Sequence, residues 1–196
     1  MNFLLKPLAF MMLTSFLGTS PVLALGDTDA INTLIQSAEQ GDSEAQYSLA
    51  TMYADGDGVE QDNAKAVHWY LMAADQGNVN AQNNLAWMYE NGKGIAQDHK
   101  KAFEWYQRAA NQGDRNAQYN LGVMYAHGRG VQKDNNKAHQ WYFKAAEQGD
   151  LDAQHYLRMS YLLKQLDQAE QEKYKMISKD WVIPVVEAEE ASAEAD

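Results

Sequence analysis

A 36-residue repeat is the feature that most constrains how this chain can fold. Residues of five types recur in one register, so the repeat is not a property of a single residue type. The recurring sets are Ala45/Ala81/Ala117/Ala153, Leu49/Leu85/Leu121/Leu157, Tyr53/Tyr89/Tyr125/Tyr161, Gly58/Gly94/Gly130 and Trp69/Trp105/Trp141. A period of this length is typical of stacked supersecondary units, because one unit alone cannot bury its apolar face. The sequence therefore predicts a repeat array, an architecture that mostly serves as a binding surface.

Each period is predicted to contain two helices. In the first repeat, Ala45, Leu49 and Tyr53 follow one another at intervals of four residues, which places them on one helical face. Glycines in the segment 55–58 end this helix, and Asp62 stands where the N-cap of a second helix belongs. The second helix carries small alanines around one tryptophan. We predict that this tryptophan belongs to the core in each repeat: Trp69, Trp105 and Trp141.

The repeats and the terminal segments predict five regions along the chain. Lys6, the apolar run 8–17 and a small residue at Ala24 have the organisation of a cleavable signal peptide, residues 1–24. Cleavage after Gly26 is the alternative, and either cut predicts a periplasmic or secreted protein. The other regions are an N-terminal capping helix (27–41), three repeats (42–149), a partial fourth repeat with a C-terminal capping helix (150–180) and an acidic disordered tail (181–196).

Composition and motif spacing argue against several functions. The net charge of −11 disfavours nucleic acid, whose binding depends on Lys and Arg at the phosphates. The N-terminal apolar run is too short for a permanent membrane anchor, and the absence of cysteine excludes thiolate chemistry. The five histidines lack metal-ligand spacing, and the glycine-rich segments follow helices rather than the strand that a dinucleotide site needs. We therefore predict no enzymatic activity, no cofactor and no metal.

The loop between the two helices changes its charge along the chain. Asp57 is replaced by Lys93 and then by Arg129 in the next two repeats, while the flanking glycines are kept. A calcium loop would need its acidic residue in each copy. We therefore interpret the loop as a turn.

A long motif begins Ala-Gln-x-x-Leu-(Gly/Ala)-x-Met-Tyr and ends Trp-Tyr-x-x-Ala-Ala-x-Gln-Gly. It recurs at 45–77, 81–113 and 117–149, and its first part recurs at 153–161. This motif resembles the Sel-1-like repeat, a relative of the tetratricopeptide repeat. The resemblance implies an all-α fold, a right-handed α-solenoid, in which the first helices line a concave groove and the second helices form the outer wall. It also implies a scaffold for protein–protein contacts.

One position of the first helix varies while its core positions stay constant. Position 51 points away from the core stripe and holds Thr51, Trp87, Val123 and Met159 in successive units. Trp87 is the largest of these, and aromatic side chains dominate binding hot spots; packing on a neighbouring first helix is the alternative. The predicted partner-binding residues are Tyr47, Thr51, Asn84, Trp87, Asn91, Tyr119, Asn120, Val123, His127, His155 and Met159.

These observations predict a secreted, monomeric, non-enzymatic adaptor that holds a protein or peptide in the concave groove. A periplasmic immunity protein that inhibits a toxic effector enzyme is one alternative, since an acidic surface suits a basic target. A cell-wall glycan-binding protein is another, for which Trp87 and Tyr119 offer aromatic surfaces. Whether the partner is an envelope protein or a toxic effector stays open.

Overall fold

The computed structural model describes the backbone of residues 25–165 and the side chains of residues 29–165. Each regular element in this part is an α-helix, which confirms the predicted all-α repeat fold. The helices are α1 (Leu25–Glu39), α2 (Ser43–Asp55), α3 (Asn63–Asp75), α4 (Val79–Asn91), α5 (His99–Asn111), α6 (Arg115–His127), α7 (Asn135–Glu147) and α8 (Leu151–Gln165). The predicted signal peptide, the acidic tail and the capping segment after residue 165 lie outside the described residues.

The helices pack in chain order, each mainly against the helix before it and the helix after it. The closest pairs define unit 1 (α2 and α3), unit 2 (α4 and α5) and unit 3 (α6 and α7), with α1 before them and α8 after them. Junction 1 is the contact between units 1 and 2, junction 2 that between units 2 and 3, and junction 3 that between unit 3 and α8. Contacts limited to neighbours are the property of a solenoid.

Aspartate side chains cap the helices as the sequence predicts. The Asp62 carboxylate accepts hydrogen bonds from the backbone N–H groups of Ala64 and Lys65, which satisfies two donors at the start of α3. The same cap begins the second helix of each unit, at Asp62, Asp98 and Asp134. The predicted N-cap at Asp62 is therefore confirmed, and Asp98 and Asp134 repeat it.

The second glycine of each loop sets the spacing between units. Gly94 has a φ of +68°, and a Cβ there would fall on the backbone carbonyl of Asn63 at the start of α3. Gly130 has the same φ of +68° and is in the same relation to the carbonyl of His99 at the start of α5. Glycine is required at these two positions for the backbone conformation and for the close approach. The loops that contain Gly94 and Gly130 are therefore held directly against the second helix of the preceding unit.

Tyrosine, more than tryptophan, fills the interior between helices. Trp105 is only 8% exposed, which confirms its core role. Trp69 and Trp141 are partly exposed and pack against the core from outside, so the prediction holds for them only in part. The tyrosine that follows each tryptophan is buried more deeply than its neighbour in all three units: Tyr70, Tyr106 and Tyr142 are 3%, 0% and 3% exposed.

A series of glutamines connects the two helices of each unit, and bonds from buried glutamines to backbone carbonyls connect each unit to the helix before it. Gln76 Nε2 donates to Gln46 Oε1 at 2.7 Å, and Gln46 Nε2 donates to the Ala38 carbonyl at 3.0 Å. The glutamine pair recurs one and two units later, each time at 2.8 Å: Gln112–Gln82 and Gln148–Gln118. Since buried amides are costly unless they are paired, these bonds fix the register of the stack. This role of the glutamines was not predicted.

Candidate functional site

The exposed sides of α2, α4, α6 and α8 form a surface that we call the first-helix face. At junction 1 this face contains a cleft of about 290 Å³, the junction-1 cleft. Its walls come from α2, α3, α4 and the loops that follow α2 and α4. The lining residues are Ala54, Asp55, Gln61, Asn63, Tyr70, Asn84, Trp87, Met88 and Lys93. Asn84 and Trp87 are thus two predicted site residues that meet in one cavity.

The hydroxyl of Tyr70 organises the polar side of the cleft. Thr51 Oγ1 donates to the Tyr47 carbonyl at 3.1 Å, so the Tyr70 hydroxyl, 3.1 Å away, donates to Thr51 Oγ1. Asn84 Nδ2 in turn donates to the Tyr70 hydroxyl at 3.1 Å. Burial raises the pKa of Tyr70, which keeps this hydroxyl protonated. Three predicted residues, Tyr47, Thr51 and Asn84, therefore meet around a tyrosine of the second helix that was not among the predicted site residues.

Trp87 forms the apolar side of the cleft. Its side chain is 49% exposed, whereas Ala86 and Met88 beside it in α4 are buried. About half of Trp87 is therefore accessible to a partner, whether or not the rest of it packs on a neighbouring first helix. Asn91 Nδ2 donates to the Trp87 carbonyl at 2.8 Å, so the Asn91 amide serves the end of α4 rather than the cleft.

Two charged side chains line the cleft. Asp55 is the exposed last residue of α2, and Lys93 is exposed in the loop after α4. Within the part of the chain that the structure describes, Lys93 forms no ion pair. Lys93 was not predicted as a site residue, because its loop was interpreted only as a turn. The change from Asp57 to Lys93 to Arg129 was the signal that could have identified the position.

At junction 2 an ion pair occupies the equivalent place. Glu90, Tyr106 and Arg129 stand 36 residues after Ala54, Tyr70 and Lys93. Arg129 Nη1 lies 2.8 Å from Glu90 Oε1, and the Tyr106 hydroxyl donates to Glu90 Oε2 at 3.1 Å. Burial, and then the negative charge of Glu90, raise the pKa of Tyr106. The chain thus supplies its own carboxylate to the tyrosine and the cation at this junction.

Junction 3 is aromatic. The Tyr142 ring lies 4.0 Å from the Tyr156 ring and 5.5 Å from the Tyr119 ring, measured between centroids. A Cβ at Gly122 would meet the Tyr142 ring at 2.8 Å, so glycine leaves the room for this packing. An open cleft of about 650 Å³ adjoins the rings, lined by Asn135, Asn136, His139, Gln140, Tyr156, Ser160 and Lys164. Tyr119 was predicted here, and Tyr156, which takes the place of Asn84, was missed.

The other predicted residues are spread along the first-helix face. Val123 is partly buried and packs against the core of unit 3, so little of it is available to a partner. Asn120 and Met159 are also partly buried, whereas His127 and His155 are exposed. These five residues do not line the junction-1 cleft.

The described residues also bear on metal and membrane contacts. No group of three or more His, Asp or Glu side chains within residues 29–165 could hold a metal ion. No helix in the same part of the chain is both long enough and apolar enough to cross a membrane. The residues that line the junction-1 cleft offer a ligand an aromatic ring, amide and hydroxyl groups, one carboxylate and one ammonium.

Helix pairs that stack in chain order, with a constant core and a varying exposed face, define an α-solenoid repeat protein. The Sel1 repeat model matches residues 43–78, 79–114 and 115–150. The chain belongs to the Sel1-repeat family, as the sequence resemblance indicated. Proteins of this family are generally protein-interaction scaffolds.

Solved structures show the same fold. A Sel1 repeat protein from Oxalobacter formigenes has 43% sequence identity, covering 66% of this chain and 97% of that chain, with a TM-score of 0.61. The c5321 protein of uropathogenic Escherichia coli, a protective antigen, has 39% identity, covering 71% of this chain and 29% of that chain, with a TM-score of 0.67. Cysteine-rich protein B of Helicobacter pylori has 25% identity, covering 67% and 95%, with a TM-score of 0.54. No curated protein matches the chain.

Proposed function

We propose that the chain is a non-enzymatic adaptor that binds a segment of a partner protein on its first-helix face, with the junction-1 cleft at the centre of the contact. The half-exposed Trp87 carries this proposal. The fold does not need an aromatic ring there, since Val123 and Met159 hold the same position in the following units. An exposed aromatic ring beside polar groups is the composition of a binding hot spot.

Export is part of the proposal and rests on the N-terminal segment. Residues 1–24 have the charge, apolar length and small-residue site of a cleavable signal peptide. The partner would then be met in the periplasm or outside the cell. The inhibitor of a toxic effector is the second candidate function, because the net charge of −11 suits a basic target enzyme.

A capture experiment with matched variants tests the adaptor function. Residues 25–196 are used to retain proteins from an envelope extract, beside the variants Trp87→Ala and Met72→Ala. Met72 is 37% exposed on α3 and does not line the cleft, so Met72→Ala controls for the loss of an exposed apolar side chain. We expect Trp87→Ala to weaken binding of the retained partner by about 2 kcal/mol or more and Met72→Ala to leave it unchanged.

Two results would count against the adaptor at this site. A partner that binds Trp87→Ala as well as it binds the unmodified protein would remove the junction-1 cleft from the interface. A retained partner that is a basic enzyme, and whose activity falls on binding, would favour the inhibitor instead. Catalytic turnover of a substrate by this chain alone, with no partner present, would contradict both the adaptor and the inhibitor.

A further inference from the structure

Junction 2 contains a contact for which junction 1 has only two of the three components. At junction 2, the Glu90 carboxylate lies between Arg129 Nη1 at 2.8 Å and the Tyr106 hydroxyl at 3.1 Å. Both junctions keep the tyrosine and a cation in the loop. Ala54, however, stands at the position of Glu90. Asp55 beside it also lines the cleft, but within the described residues it neither accepts from the Tyr70 hydroxyl nor pairs with Lys93.

We propose that the partner supplies this missing carboxylate. In this proposal, a glutamate or aspartate side chain of the bound segment enters the junction-1 cleft and pairs with Lys93, and an apolar residue next to it packs on Trp87. The inference rests on the proposed function, because it names the chemistry of the segment that the first-helix face binds. Junction 2 supports the proposal, because there the chain's own Glu90 makes the contact that we assign to the partner.

The groups around the cleft can receive a carboxylate. Asn84 Nδ2 uses one of its two hydrogens for the Tyr70 hydroxyl and has another to donate. The Tyr70 hydroxyl donates to Thr51 and would have to exchange that bond for a new acceptor. The Lys93 ammonium sits on a flexible stem and forms no ion pair within residues 29–165, so it can follow the position of an incoming charge.

The charge distribution limits how far this attraction extends. Asp55 is the one carboxylate among the lining residues, and it opposes an acidic ligand from the water-exposed end of α2. The net charge of −11 likewise repels an acidic segment at long range. The preference is therefore short-range, made by Lys93 and Asn84 inside the cleft. Added salt should weaken it at Lys93, where the charges are partly exposed.

A library of acetylated and amidated nonapeptides is the probe, because only side chains then carry charge. We expect the selected peptides to carry Glu or Asp beside an aromatic or large aliphatic residue. Lys93→Gln should weaken these peptides by about two- to fivefold, the scale of one exposed ion pair. Lys133→Gln, which removes a positive charge outside the cleft and restores the residue found at Gln61 and Gln97, should leave the affinity unchanged.

The other outcomes of the peptide selection would contradict the proposed acidic ligand, and the last of them would also contradict the proposed function. Peptides that require Lys or Arg, and that are lost on Asp55→Asn, would overturn the inference by exchanging the sign of the ligand. Peptides that depend on Trp87 but show no charge preference would overturn the inference and leave the proposed adaptor standing. In a control library with unblocked ends, peptides that bind only with a free C-terminus would overturn the assignment of the carboxylate to a side chain. No bound peptide at all would count against the proposed function as well.

A transplant of the junction-2 pair into junction 1 gives an independent test. The double variant Ala54→Glu/Lys93→Arg places the residue types of Glu90 and Arg129 at the equivalent positions, so the chain should fill its own cleft. We expect the acidic peptides to lose at least tenfold in affinity while the melting temperature does not fall. Unchanged affinity in this double variant, with the fold intact by circular dichroism, would overturn the inference.

Discussion

Junctions 1 and 2 are built on one backbone plan and differ in several of the side chains around the buried tyrosine. Both place a loop glycine against the preceding second helix, both have a buried glutamine that donates to a carbonyl of that helix, and both carry the buried tyrosine. At junction 2, Glu90 and Arg129 close the space in front of that tyrosine. At junction 1, Ala54, Trp87 and Lys93 line an open cleft. The groups that hold the stack together are therefore separate from the groups that change its surface.

The hydrogen bonds of Tyr106 and Tyr70 show how the two junctions differ chemically. Tyr106 donates to a charged carboxylate that is itself held by Arg129. Tyr70 belongs to a chain of neutral hydrogen bonds with Thr51 and Asn84. Hydrogen bonds to charged groups are about twice as strong as neutral ones. Junction 2 is thus fixed internally, whereas the polar groups of junction 1 can be rearranged by a ligand at lower cost.

The largest expected difference is between two tryptophans in unit 2. Trp105→Ala should lower the free energy of unfolding by about 3–5 kcal/mol, because it empties a core position. Trp87→Ala should lower it by less than about 1 kcal/mol, because the ring is half exposed. Urea denaturation followed by circular dichroism measures both. Similar losses for the two variants would contradict the distinction between residues that hold the stack together and residues that change its surface.

The loop glycines test whether the two junctions share one plan. Gly94→Ala and Gly130→Ala should each cost about 3 kcal/mol, since a Cβ adds both left-handed strain and a clash with a backbone carbonyl. Gly113→Ala is the matched control, because its φ is +94° and no atom lies within 4 Å of the added Cβ. It should cost only the strain, about 1–2 kcal/mol. Unequal losses at Gly94 and Gly130 in thermal melts would show that the junctions differ in backbone packing too.

Much of the fold could be predicted because the repeat samples the same physical constraints several times. The apolar spacing of Ala45, Leu49 and Tyr53 gives the helix, and the capping aspartates give the start of the next. Those signals are local in sequence, so a single sequence is enough to identify the helices and their caps. The glutamine pair was missed because its partners lie 30 residues apart, and no local pattern relates Gln46 to Gln76.

The candidate site could be predicted only in part. Position 51 identified Trp87, since helical periodicity alone places that residue on the exposed side of α4. Helical periodicity does not indicate that the Tyr70 hydroxyl reaches between two first helices, or that a loop residue lines the same cleft. Those facts depend on how units stack. The charge of Lys93 is evident in the sequence. That it lacks the partner that Glu90 gives Arg129, however, depends on Ala54, which lies in another unit.

The ion pair of junction 2 predicts a middle-sized difference in stability. Glu90→Ala should cost about 2 kcal/mol, because it leaves the buried Tyr106 hydroxyl without its acceptor and Arg129 without its partner. Thr51→Ala at junction 1 should cost about 1 kcal/mol, since it removes neutral hydrogen bonds on a partly buried side chain. Chemical denaturation of both variants at pH 7 gives the comparison. A larger loss for Thr51→Ala would reverse our ranking of the two junctions.

The smallest expected difference is in the alkaline pH dependence. The pKa of Tyr106 is raised above its ordinary value of 10.0 by burial and by the charge of Glu90. Above pH 10 the unfolded chain therefore releases a proton that the folded chain keeps, and stability falls as pH rises. Below pH 10 both states are protonated, and this contribution is constant.

Tyr106→Phe should remove that part of the pH dependence. The variant should lose about 1 kcal/mol near pH 7, from the missing hydrogen bond to Glu90, and should then change less steeply than the unmodified protein between pH 10 and 11. Tyr70→Phe is the control at the open junction, where burial also raises the pKa but no carboxylate accepts from the hydroxyl. We expect Tyr70→Phe to flatten the curve less, in urea denaturation series at fixed ionic strength. Equal flattening would mean that burial alone, and not the Glu90 carboxylate, distinguishes the two tyrosines from an exposed one.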